Sequence, residues 1–172
     1  VTYTKPSSSA SGSVTIPATV TMAGITYKIT TIEADAFKGN KKVTKVTIGK
    51  NIKTIGKNAF SGCSKLKTLK IGSAVTTIGD NAFCKCTALT EVTVPSKVTK
   101  IGKNAFSGCS KLKTLKIGSA VTTIGDKAFY KCTALTKVTV PSKVSKIGKS
   151  AFYGCKKLKD ITIKTTKLTS KK

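Results

Sequence analysis

The sequence repeats itself every 23 residues, and that period decides what the chain can fold into. All six phenylalanines, Phe37, Phe60, Phe83, Phe106, Phe129 and Phe152, stand at one position of the repeat, each preceded by Ala. Ile29, Ile52, Val75, Val98, Val121 and Val144 open the six units, and Ile32, Ile55, Ile78, Ile101, Ile124 and Ile147 follow three residues later. Cys63, Cys86, Cys109, Cys132 and Cys155 share a further position, where the first unit has Asn40. Val43, Leu66, Leu89, Leu112, Leu135 and Leu158 fill the next apolar column. A unit this short cannot bury its apolar side alone. Stacking units at the strand spacing of about 4.8 Å turns each column into a continuous interior.

A second period overlies the first. Residues 55–98 and 101–144 differ only at Asn81/Lys127, Cys84/Tyr130 and Glu91/Lys137, so the duplicated unit is a pair of coils. Within one coil, the spacing from Ala59-Phe60 through Cys63 to Leu66 predicts a short helix or a turn of helix. Leu66, Leu69 and Ile71 pass into alternation, which predicts a short strand. Gly56 before the helix and Gly72 or Pro95 after the strand mark corners. The expected architecture is an α/β repeat solenoid, a right-handed coil with a parallel sheet along one side.

Composition removes several kinds of chemistry. Lys and Arg number 32 against 6 acidic residues, for a net charge of +26, and every one of the basic residues is Lys. There is no His, so no imidazole base, His metal ligand or Ser-His pair exists. Without Arg there is no bidentate fork for a phosphate or a guanine edge. A hydrophobic content of 39% argues against wholesale disorder despite the charge. No apolar run reaches transmembrane length. The chain begins with Val1 and shows no signal-peptide pattern, so it reads as an excerpt of a longer protein.

The string Ile-Gly-x-x-Ala-Phe-x-x-Cys-x-x-Leu-x-x-Val-x-Val-Pro at 78–95 resembles the BspA-type (Treponema pallidum-type) leucine-rich repeat of bacterial surface proteins. The likeness covers residues 29–163, six repeats, and residues 1–28, with Val14-Thr15-Ile16-Pro17 and Val20, resemble the β-hairpin cap that starts such arrays. Asn40, Gly49, Gly72 and Gly118 depart from the pattern, the glycines standing where the family often has Pro. Residues 164–172 form a Lys-rich tail with no Phe or Cys column and no C-terminal cap, which reads as truncated. The resemblance implies secretion or surface display and a role in adhesion or interaction.

Each motif that suggests chemistry also has a structural explanation. The Cys column shares its register with Ala, Phe and Leu, so its thiols are expected buried and free. Cys84 lies in a column of Lys38, Ser61, Ser107, Tyr130 and Tyr153 and is the candidate exposed thiol; no metal site is expected. Gly148-Lys149-Ser150 lacks the earlier Gly of a phosphate loop. Asp80 and Asp126 alternate with Lys57, Lys103 and Lys149, which predicts an ion ladder rather than a glycosidase pair. Tyr130 and Tyr153 are adjacent in one column and either stack together or offer a sugar or a partner a platform.

No cofactor and no enzymatic activity are expected. The expected function is an extracellular or cell-surface interaction domain, of adhesion type, that presents its sheet face to a host or cell-surface protein or polysaccharide. The candidate binding face is Lys45, Lys70, Glu91, Lys116, Lys137 and Asp160. The alternative is a stiff cationic spacer held on anionic cell-wall polymers. Lysine is spread over both outward sides, so non-specific polyanions should bind at low salt, without sequence-specific recognition of nucleic acid. The charge should keep the chain monomeric there.

Overall fold

The computed structural model describes residues 1–4 and 10–168. Residues 5–9 of the N-terminal segment and 169–172 of the tail lie outside the described residues. The chain winds as a parallel β-solenoid of about six coils, each carrying two short strands joined by a tight turn segment.

The first strand of each coil has only two residues, yet it builds the most continuous sheet of the molecule. Thr2–Tyr3, Thr31–Ile32, Thr54–Ile55, Thr77–Ile78, Lys100–Ile101, Thr123–Ile124 and Lys146–Ile147 pair in parallel as seven neighbours. The inward Ile of strands 31–32 to 123–124 is buried. Thr76, Thr99, Thr122 and Ser145, flanking this sheet, each donate a hydroxyl to a carbonyl one coil back.

The second strand of each coil is the one expected from the sequence, but its sheet is interrupted. Gly12–Ile16, Val43–Ile48 and Thr68–Lys70 form one piece, Glu91–Thr93 and Thr114–Lys116 another, and Lys137–Val140 and Asp160–Ile163 a third. Pairing breaks every second coil, so the 46-residue duplication reappears as a period in the backbone hydrogen bonds. The structure therefore corrects the expectation of one sheet on one side. Between Gly12–Ile16 and the first coil, Thr19–Met22 and Ile25–Lys28 form an antiparallel hairpin.

The structure also corrects the α in the expected α/β class: the described residues contain no helix. Asp35, Asn58, Asn81, Asn104, Lys127 and Ser150 all have φ between 53° and 61°, and Gly39, Gly62, Lys85, Gly108, Lys131 and Gly154 between 54° and 77°. Two left-handed residues four apart cannot belong to one right-handed helix. The spacing that reads as helical comes from successive three-residue turns, as in Ala59 N–H to Gly56 C=O (3.3 Å) and Cys63 N–H to Phe60 C=O (3.2 Å). The remaining amides of this segment point along the stack. Asn58, Phe60 and Gly62 donate to the carbonyls of Asp80, Ala82 and Cys84 at 2.7–2.9 Å, and later coils repeat the pattern. The turn side is thus hydrogen-bonded coil to coil, which a helix would forbid.

The interior is a set of ladders. The six Phe rings stack with centroids 4.8–5.4 Å apart and interplanar angles of at most 12°. Each Cys of the column is buried and free, with its Sγ 3.2–3.3 Å from a Phe carbonyl of the preceding coil. Asn40, in the Cys position of the first coil, instead donates to Ala10 C=O and accepts from the amides of Lys42 and Val43. Glycine at two corners follows from close approach. A Cβ on Gly102 would lie 2.6 Å from both Asp80 Oδ1 and Gly79 C, and one on Gly118 would overlap the Pro95 carbonyl.

Candidate functional site

The second strand of each coil alternates burial with exposure because its pleat points successive side chains to opposite faces. Val46, Val92, Leu115 and Val138 turn into the core, while Lys45, Lys70, Glu91, Lys116, Lys137 and Asp160 all stand exposed on the outer face. The register sets Lys45 opposite Thr68, Thr47 opposite Lys70, Glu91 opposite Thr114, Thr93 opposite Lys116, and Lys137 opposite Asp160. No salt bridge joins these six residues among those described; the ion pair found there is Lys38–Asp35 at 3.1 Å, on a turn. The face is therefore a field of separate, hydrated charges among threonine hydroxyls.

The interruptions in pairing open two clefts on this face, which sequence reasoning missed. The cleft between the second and third coils, about 170 Å³, is lined by Lys67, Thr68, Leu69, Thr90, Glu91 and Thr93. The cleft between the fourth and fifth coils is larger, about 410 Å³, and runs to the corner. Leu115, Ile117 and Pro141 give it apolar walls, and Lys116, Lys164, Ser119, Ser142 and Thr139 supply cations and hydroxyls. The 46-residue period was the available signal. It marks every second coil junction, but it does not reveal which junction opens.

On the turn side, the expected ion ladder takes another form. Asp80 Oδ1 accepts the backbone N–H of Lys103 at 2.9 Å, and Asp126 Oδ1 that of Lys149 at 2.8 Å. The carboxylates bind the next coil's backbone, while the Lys57, Lys103 and Lys149 side chains stay exposed. Asp35 accepts from Asn58 Nδ2 at 3.0 Å and pairs with Lys38; these hydrogen bonds hold its carboxyl below the usual range.

Burial pushes the thiol of Cys63 up to about 12, and those of Cys86 and Cys109 above the ordinary thiol range. Cys84 is half-buried; desolvation raises its pKa too, opposed by the neighbouring Lys85 charge. It is the most accessible of the six thiols, with no activation that would make it a nucleophile. Tyr130 and Tyr153 stack at 5.6 Å and 13°. No group of three His, Cys, Asp or Glu residues is placed to hold a metal among the described residues.

A solenoid of short parallel coils, with Leu, Val and Ile columns inside and one patterned strand face outside, defines a leucine-rich repeat protein. The chain belongs to the BspA-type leucine-rich repeat family, whose model matches six copies over residues 18–136 and 76–171. Three solved structures place it further. It is similar to a leucine-rich repeat protein of T. pallidum, with TM-score 0.81 and 28% identity over 87% of this chain and 68% of that one. It is also similar to a leucine-rich cell surface protein of Faecalibacterium prausnitzii, with TM-score 0.69 and 34% identity over 96% and 50%. The pneumococcal vaccine antigen PcpA gives 0.75 and 28% over 94% and 41%. The chain thus spans half or less of the last two. A comparison with curated protein sequences finds no match.

Proposed function

We propose that this chain is an extracellular interaction domain of adhesion type, displayed on a bacterial surface, that engages a protein or polysaccharide through the interrupted strand face. The observation that supports this reading is the common exposure of Lys45, Lys70, Glu91, Lys116, Lys137 and Asp160 on one face cut by two clefts. An extended array of separate charges suits a macromolecular surface better than a small molecule, which needs one enclosed pocket. Surface display is supported by the kinship with a cell surface protein and a vaccine antigen.

The test compares location at constant charge. Lys70→Glu, Lys116→Glu and Lys137→Glu together lower the net charge by two units per site, from +26 to +20. Lys57→Glu, Lys103→Glu and Lys149→Glu do the same on the turn side, where these side chains are exposed and the Asp contacts run to backbone. Adhesion predicts that the first triple variant loses binding to cells or matrix near physiological salt, with faster dissociation. The wide spread of lysine favours the second reading, a cationic spacer on anionic wall polymers. That reading predicts equal losses from both triples, with binding gone by a few hundred millimolar salt. If both folded variants bind alike, the strand face is not the adhesive surface.

A further inference from the structure

We infer that the turn side of the fifth and sixth coils carries a second binding surface, separate from the strand face, for an acidic polysaccharide. The duplication supplies an internal control. Over residues 55–98 and 101–144 the two copies differ at three positions, and two of them, Lys127 for Asn81 and Tyr130 for Cys84, fall within one cluster. Lys127 Nζ lies 5.7 Å from the centre of the Tyr130 ring and Lys131 Nζ 5.3 Å, both within cation–π range. Tyr153 of the next coil covers Tyr130 and is itself 66% exposed. At the positions 46 residues earlier stand Asn81, Cys84 and Ser107, which offer no ring, and of the two lysines only the counterpart of Lys131, Lys85, is present.

The cluster has the chemistry of an acidic glycan site. The rings present apolar surface and phenol hydroxyls to a sugar's C–H and O–H groups, and two exposed ammonium groups stand beside them for a carboxylate or sulfate. Asp126, next to Lys127 in the chain, keeps its charge while one of its oxygens accepts the Lys149 amide at 2.8 Å, but Lys127 and Lys131 outnumber it. Burying a large exposed Tyr ring against a ligand also adds apolar contact that salt does not screen. Nucleic acid fits less well. Its bases stack on open ring faces, and one face of each ring is already covered by the other at 5.6 Å, so no base can be sandwiched between them.

The experiment uses the chain's own fluorophores. It has four Tyr and no Trp, so ultraviolet emission reports the tyrosines directly. The chain is titrated near physiological salt with hyaluronate, which carries carboxylates, with heparin, which adds sulfates, with uncharged dextran, and with a single-stranded oligonucleotide. Tyr130→Ser with Tyr153→Ser leaves the net charge untouched, so diffuse attraction is preserved. The expected result is an emission change with hyaluronate or heparin, none with dextran, and, by isothermal titration calorimetry because the double variant lacks the reporting rings, an affinity about tenfold lower in that variant. Lys127→Asn, which restores the first copy's residue, should weaken binding, and the Lys70, Lys116 and Lys137 reversals should leave the emission change in place. Building the cluster 46 residues earlier with Asn81→Lys, Cys84→Tyr and Ser107→Tyr should create a second site and raise the stoichiometry. Unchanged affinity in the Tyr double variant would overturn the inference. So would equal, Tyr-dependent binding of the oligonucleotide.

Discussion

Truncating one central ring of the Phe ladder tests the interior most directly. Phe106 is fully buried and lies between Phe83, 5.2 Å away, and Phe129, 5.4 Å away. A Phe buries about 150–200 Å² of apolar surface, which at about 25 cal/mol per Å² is worth roughly 4–5 kcal/mol. Phe106→Ala also leaves a ring-sized gap between two rings held by their own coils, so little collapse can offset the loss. The expected cost is about 3–5 kcal/mol. Phe152 is the comparison, because it is only half-buried and stacks on Phe129 alone at 5.3 Å. Phe152→Ala should cost roughly half as much, since the cost follows the surface and contacts removed. Urea titration followed by far-ultraviolet circular dichroism measures both, and a lower m-value for Phe106→Ala would report that the coils no longer unfold as one unit. A loss below 1 kcal/mol at Phe106, or equal losses at the two sites, would refute the ladder as the source of stability.

Three further outcomes follow from the same geometry. A thiol reagent should label Cys84 first and the buried Cys63, Cys86 and Cys109 slowly, as mass spectrometry of timed aliquots can show; rapid labelling of Cys109 would contradict the interior. Raising the Cys63 pKa from 9.0 unfolded to about 12 folded means its stabilisation is complete below pH 9 and lost as pH climbs toward 12. The stability gap between wild type and Cys63→Ala should therefore narrow by about 1.4 kcal/mol between pH 8 and pH 10. Lys85 holds φ at 58° where four coils have Gly, so Lys85→Gly should stabilise by roughly 0.5–1 kcal/mol, measured by thermal denaturation; Gly108→Lys should do the reverse.

The sequence by itself determined the stacking. A period of 23 residues held without slip through six units leaves one way to bury Phe37 to Phe152, Ile32 to Ile147 and the Cys column, and that is to place each on the next. It also made plain that Lys45, Lys70, Glu91, Lys116, Lys137 and Asp160 share a face, because alternation in a strand fixes which side chains turn outward. Helix or turn was decided by the tertiary structure. Apolar residues three apart satisfy both, and the deciding left-handed φ at Asn58 and Gly62 pays off only when their amides meet carbonyls of the next coil. The same holds for the continuous sheet through Thr31, Thr54 and Thr77, whose two-residue strands are too short to show a period and exist only through their neighbours. The Tyr130–Tyr153 stack was legible as two neighbours in one column, whereas the clefts belong to this second kind. They arise between coils, from the offset of one backbone against the next, and a pattern within one coil carries no record of that offset.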